Sequence, residues 1–213
     1  MESLPTSRLR AMLSELAAEP RVHFDALAPT TLGLFLAGYT RVVPCLHGAL
    51  VRSDERTARE LHSRAALGAA ELVYLTHGDT PPGYRSLLQR VGKALPTAEQ
   101  IPCPPPDVTS FRELLPTLNG QPAVLLGEDD AARLAPYLAG LHRGLIDRGI
   151  DPSHDRALLG AFEAWLQQEY GFVAPWHRLL HIWCGGTQRS ASAFAARYAE
   201  WQSIRGDRRA PLG

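Results

Sequence analysis

Leu32-Gly33-Leu34-Phe35-Leu36-Ala37-Gly38-Tyr39-Thr40-Arg41 returns 102 residues later as Leu134-Ala135-Pro136-Tyr137-Leu138-Ala139-Gly140-Leu141-His142-Arg143. Both stretches read Leu-x-x-aromatic-Leu-Ala-Gly, with an Arg three residues beyond the Gly. The register continues upstream without a gap. Arg10, Leu13 and Leu16 return as Arg112, Leu115 and Leu118, and Pro20 and Val22 return as Pro122 and Val124. A shared helical period would bring back apolar positions only. A Pro, a Gly and two Arg at one offset point to two diverged copies of one module. The expected architecture is therefore mainly α, with two tandem, related helical modules and short extended segments. The alternative is α/β, with a small sheet built from 22–24, 72–75 and 123–126.

Working outward from the repeat, Leu9, Met12, Leu13 and Leu16 have the three-four spacing of a helix near 7–17. Val22-His23-Phe24 reads as extended, and a helix over 30–46 follows. A further helix is expected near 56–75. Thr80 is placed to cap another over 82–94, with Pro at its first position. Residues 96–107 contain Pro104-Pro105-Pro106 and read as a semi-rigid spacer. The second copy repeats the order, with a helix at 109–118, an extended piece at Ala123–Leu126 and a helix at 129–146. Asp151-Pro152-Ser153 opens a helix over 156–170. An apolar segment at 176–183 and a last helix at 188–204 complete it. The expected domains are 1–95, a linker at 96–107, 108–204, and a frayed tail at 205–213. The principal core is expected around Tyr137, Leu138, Phe162, Trp165, Leu166, Trp176, Phe194 and Trp201. All four tryptophans lie in the second module.

Composition narrows the function classes. The 213 residues carry 22 basic and 22 acidic side chains, so formal net charge is zero. A dedicated nucleic-acid binder normally has a basic surplus, and none is expected here. Three cysteines, Cys45, Cys103 and Cys184, form neither an even framework nor a C-x-x-C pair. Reduced thiols in a cytoplasm fit that pattern. The segment Met1-Glu2-Ser3-Leu4-Pro5 does not read as a signal peptide. No apolar run approaches the ~20 residues of a membrane span. A cytoplasmic protein without a membrane association is expected.

Possible chemistry is sparse. His177 and His181 stand at i and i+4, but Arg178 follows the first His where a zinc protease has Glu, and no third ligand is evident. His154-Asp155 resembles a phosphohydrolase pair without the accompanying ligands. Ser110, Ser190 and Cys184 lack a nucleophile elbow. No catalytic residue, metal or cofactor is expected. Glu128-Asp129-Asp130 is the densest acidic cluster. It lies at an expected helix start, where negative charge is favourable, and it could also meet a basic partner. Arg41 and Arg143 read as structural partners of a helix end or a carboxylate, and Gly38 and Gly140 as sites of close helix approach.

The second copy resembles the small helical immunity-protein-like domains encoded beside bacterial polymorphic toxins. The resemblance covers about 121–201. It rests on Pro122 through Gly127, Leu134-Ala-Pro-Tyr137-Leu138-Ala-Gly140 and Phe162-Glu-Ala-Trp165-Leu-Gln-Gln-Glu-Tyr170. It continues through Trp176-His-Arg-Leu-Leu180, Ala191-Ser-Ala-Phe194 and Glu200-Trp201. The first copy keeps Pro20, Phe24 and Leu32 to Tyr39, with Asp25 in place of the Gly. The resemblance implies a chain that binds and neutralises a cognate toxin, with Glu128, Asp129 and Asp130 as candidate partner-binding residues. Two other readings stay open: a hydrolase with a site between the modules, using His77, Asp79 or His142, and a structural adaptor.

Overall fold

A computed structural model describes residues 3–20, 27–46, 74, 77–186 and 189–207. In chain order its helices are α1 (Thr6–Ala18), α2 (Pro29–Val42), α3 (Pro81–Ala94), α4 (Leu115–Gly120), α5 (Pro122–Leu126), α6 (Ala131–Asp147), α7 (Ser153–Tyr170), α8 (Trp176–Trp183) and α9 (Ser190–Asp207). A 3-10 turn, Phe111–Leu114, leads into α4. The chain is mainly α. Among the described residues the only strands are β1 (Ser3–Pro5) and β2 (Gln100–Pro102), paired antiparallel with Leu4 opposite Ile101. The α/β alternative fails, because Ala123–Leu126 is helical and so is Tyr74. Its remaining pieces, 22–24 and most of 72–75, lie outside the described residues, as does most of the helix expected at 56–75.

Ala123–Leu126 was expected to be extended. Pro122 presets the first helical φ, and Gly127 closes α5 in the left-handed region at φ 76°. Its N–H donates to the Ala123 carbonyl at 2.8 Å. A four-residue apolar run has too little periodicity to separate strand from helix, so its terminators decide. The last helix also exceeds its expected end, running through Arg205 to Asp207.

The chain divides into two compact units, Met1–Thr109 with Pro136–Ile150, and Ser110–Ala135 with Asp151–Gly213. These boundaries differ from the modules of the repeat, because most of α6 packs in the first unit. Leu9, Met12 and Leu16 of α1, Phe35 and Tyr39 of α2, Tyr84 and Val91 of α3, and Tyr137 and Leu141 of α6 fill that unit's core. The Tyr84 hydroxyl donates to the Leu16 carbonyl at 2.9 Å. Thr80 caps α3 by accepting from the Gly83 N–H at 3.4 Å. The Pro-rich stretch is part of this packing. It supplies β2, it buries Ile101, Cys103 and Val108, and its Asp107 N–H donates to the Arg41 carbonyl at 3.3 Å.

Where α2 meets α6, the repeat becomes a reciprocal contact. A Cβ on Gly38 would stand 1.9 Å from the Tyr137 carbonyl oxygen, and a Cβ on Gly140 would stand 1.9 Å from that of Phe35. Gly38 and Gly140 are equivalent in the repeat, and so are Phe35 and Tyr137. The two contacts are reciprocal: each Gly faces the carbonyl of the residue three positions before the other Gly. The repeated arginines flank this crossing. Arg41 Nε donates to the Tyr137 hydroxyl at 3.2 Å. Arg143 pairs with Asp147 at 3.3 Å and with Glu15. Buried Asp147 also accepts from the Tyr39 hydroxyl at 2.7 Å.

In the second unit Phe111, Phe162, Phe194, Tyr198, Trp176 and Trp201 interlock as an aromatic core. The Phe162 and Phe194 rings meet edge-on at 5.5 Å, and Trp176 lies 4.9 Å from Phe194. Of the expected core, Tyr137 and Leu138 lie in the first unit, and Trp165 is only half-buried.

Candidate functional site

The acidic cluster folds back onto helix starts. Both Asp129 carboxylate oxygens accept from Ser192, one from its N–H at 2.8 Å and one from its hydroxyl at 2.7 Å, in the first turn of α9. Asp130 is buried and accepts from the Ala132 N–H at 2.9 Å and the Ser190 hydroxyl at 3.3 Å. The Ser190 oxygen in turn accepts from the Ala131 N–H at 2.8 Å. Thus two carboxylates and one hydroxyl take up the Ala131 and Ala132 N–H groups of α6 and the Ser192 N–H of α9. Glu128 is exposed and pairs with Arg133 at 3.0 Å. The three charges do not present one common acidic surface.

Asp155 and Asp79 likewise serve structural contacts. Asp155 is buried and accepts from the Ser110 hydroxyl at 2.8 Å and the Phe111 N–H at 2.9 Å, holding the 3-10 turn. His154 beside it is exposed. Asp79 accepts from the Thr30 hydroxyl at 2.8 Å at the start of α2, His77 is exposed and His142 is buried. His181 Nδ1 lies 3.8 Å from Asp130. Burial and the Asp129 charge push the Cys184 thiol pKa up, the opposite of an activated nucleophile. Among the described residues no three His, Cys, Asp or Glu side chains are grouped to hold a metal ion.

The feature that stands apart lies where α7 and α8 end. Arg197 of α9 sits among three rings, 4.6 Å from the centre of Trp165, 5.5 Å from Trp183 and 5.7 Å from Tyr170. Tyr170 and Trp183 stack at 6.4 Å. Exposed Glu200 and Glu169 pair with the guanidinium. Trp183 remains 54% exposed and Ile182 59%. Phe172 and Val173, in the loop that leaves α7 at left-handed Gly171, are 44% and 84% exposed. The arginine thus holds two tryptophans and a tyrosine in place while Trp183 keeps much of its surface in water.

Sequence reasoning placed Trp165 in the core, named Tyr170 only as part of the family resemblance, and did not single out Trp183 or Arg197. A signal was present. Phe162 and Leu166 already supply the buried stripe of α7, so Trp165 and Tyr170 widen it beyond what one core face needs.

Comparison with family models, with curated proteins and with solved structures returns no match. Among the described residues no helix is long and apolar enough to cross a membrane.

Proposed function

We propose that this chain is a binding protein of the immunity type, which masks a cognate toxin, and that its contact face centres on Trp183. The observation that carries the reading is the exposed Ile182-Trp183 pair set against the Arg197 ring cluster. Trp, Tyr and Arg dominate the energetics of protein interfaces, and a pre-ordered aromatic costs little side-chain entropy on binding. The acidic cluster supports the interface less well, since Asp129 and Asp130 serve α6 and α9.

The test is protection of cells that express a toxin encoded beside this chain. Wild-type protein should protect. Trp183→Ala should protect poorly at equal abundance and equal melting temperature, because losing an interface hot spot costs about 2 kcal/mol or more. Glu128→Lys should protect nearly as well as wild type. Full protection by Trp183→Ala would remove this face from the reading.

A further inference from the structure

Pro102-Cys103-Pro104-Pro105-Pro106-Asp107 leaves β2 and returns to the core at buried Val108. Each proline ring fixes φ near about −65°, and each residue before a proline is held extended. Prolines at 102, 104, 105 and 106 therefore impose a polyproline II path, with about three residues per turn. The burial follows that period. Cys103 is wholly buried and Pro106 partly buried, so one ridge faces the core. Pro102 and Pro105 form a second ridge, Pro104 and Asp107 a third, and all four residues are exposed. Both ends of the segment are fixed within the first unit. Pro102 sits opposite Ser3 in the β1–β2 pair, and the Asp107 N–H donates to the Arg41 carbonyl at 3.3 Å.

We infer that these two exposed ridges are a docking element for a protein module whose aromatic-lined groove reads polyproline II. Such grooves take prolines three positions apart into neighbouring pockets, and Pro102-x-x-Pro105 has that spacing. The segment is already ordered at both ends, so little chain entropy is lost when it docks. Charge narrows the partner further. Glu99 precedes the ridges and Asp107 ends them; both are exposed, and no basic residue stands between them. The complementary groove therefore carries a basic rim, an attraction that speeds the encounter and weakens as salt rises. The element belongs to the first unit and Trp183 to the second, so the inference does not rest on the toxin-masking reading.

The experiment titrates the isotope-labelled full chain with two SH3 domains, one with basic and one with acidic residues at the rim of its groove, and follows the backbone amide resonances. The basic-rimmed domain should shift Ile101, Cys103 and Asp107, and the acidic-rimmed domain should leave them in place. Pro105→Ala should weaken the binding about tenfold, as the loss of one pocket-filling group. Pro106→Ala, on the inward ridge, should change it little at equal melting temperature. Glu99→Arg combined with Asp107→Arg keeps every proline and should transfer binding to the acidic-rimmed domain, a test that stands if a proline variant fails to fold. No shift with the basic-rimmed domain, equal binding by both domains, shifts confined to residues outside 99–108, or equal weakening by Pro105→Ala and Pro106→Ala would each overturn the assignment.

Discussion

A methyl group is more than Gly38 or Gly140 can hold. A carbonyl oxygen 1.9 Å from the would-be Cβ is backbone, which cannot rotate aside. Gly38→Ala and Gly140→Ala should each therefore force α2 and α6 apart and lower stability by about 3 kcal/mol, the upper range for overpacking. Gly160, in the middle of α7, has nothing within 4 Å of its would-be Cβ. Gly160→Ala should raise stability by about 1 kcal/mol through helix propensity alone. Urea denaturation of the three variants checks both signs. The special role of Gly38 and Gly140 was legible because a Gly kept at the repeat offset has no helical reason to be there. The carboxylate partners of Arg143 were legible only in kind. Asp147 is local, but Glu15 comes from a distant helix that no spacing rule reaches.

At the scale of elements, helix starts decide most of what was read correctly and what was not. Thr80 with Pro81, and Asp151 with Ser153, announce α3 and α7 through local chemistry. Asp130 caps α6 locally through the Ala132 N–H, but Asp129 caps α9 from 63 positions away and Asp130 also accepts from distant Ser190, which left their sequence reading divided between cap and interface. Asp130→Ala should cost about 1–2 kcal/mol, at the upper end for a lost cap, since its removal orphans donors at two helices. Thermal melting with and without the substitution is the check. Phe194 packs against Phe111, Phe162, Trp176 and Tyr198. Its truncation to Ala should cost about 3–5 kcal/mol, enough to unfold a marginal domain. Near-wild-type melting of Phe194→Ala would contradict the core. The aromatic stripe was legible as period. The exposure of Trp183 was not, because a helix pattern shows which side chains share a face and not whether another element covers it.

For the whole molecule, tyrosine ionisation reports packing in both units. Burial raises the pKa of Tyr39, Tyr84, Tyr137, Tyr170 and Tyr198, with Tyr84 pushed up to about 12. The unfolded chain ionises near its ordinary value of about 10. Between those pH values the unfolded state holds fewer protons, so stability is fully present below about pH 10 and is lost as pH rises toward 12. Absorbance at the tyrosinate band and helical circular dichroism should then change together rather than in separate steps. Binding through the Trp183 face is the central functional proposal, and amide hydrogen exchange of the chain alone and with a candidate toxin tests it most directly. The predicted result is slowed exchange over the ends of α7 and α8, about 170–186, with little change at 128–133. Slowed exchange confined to the acidic segment, or none anywhere on mixing, would contradict it.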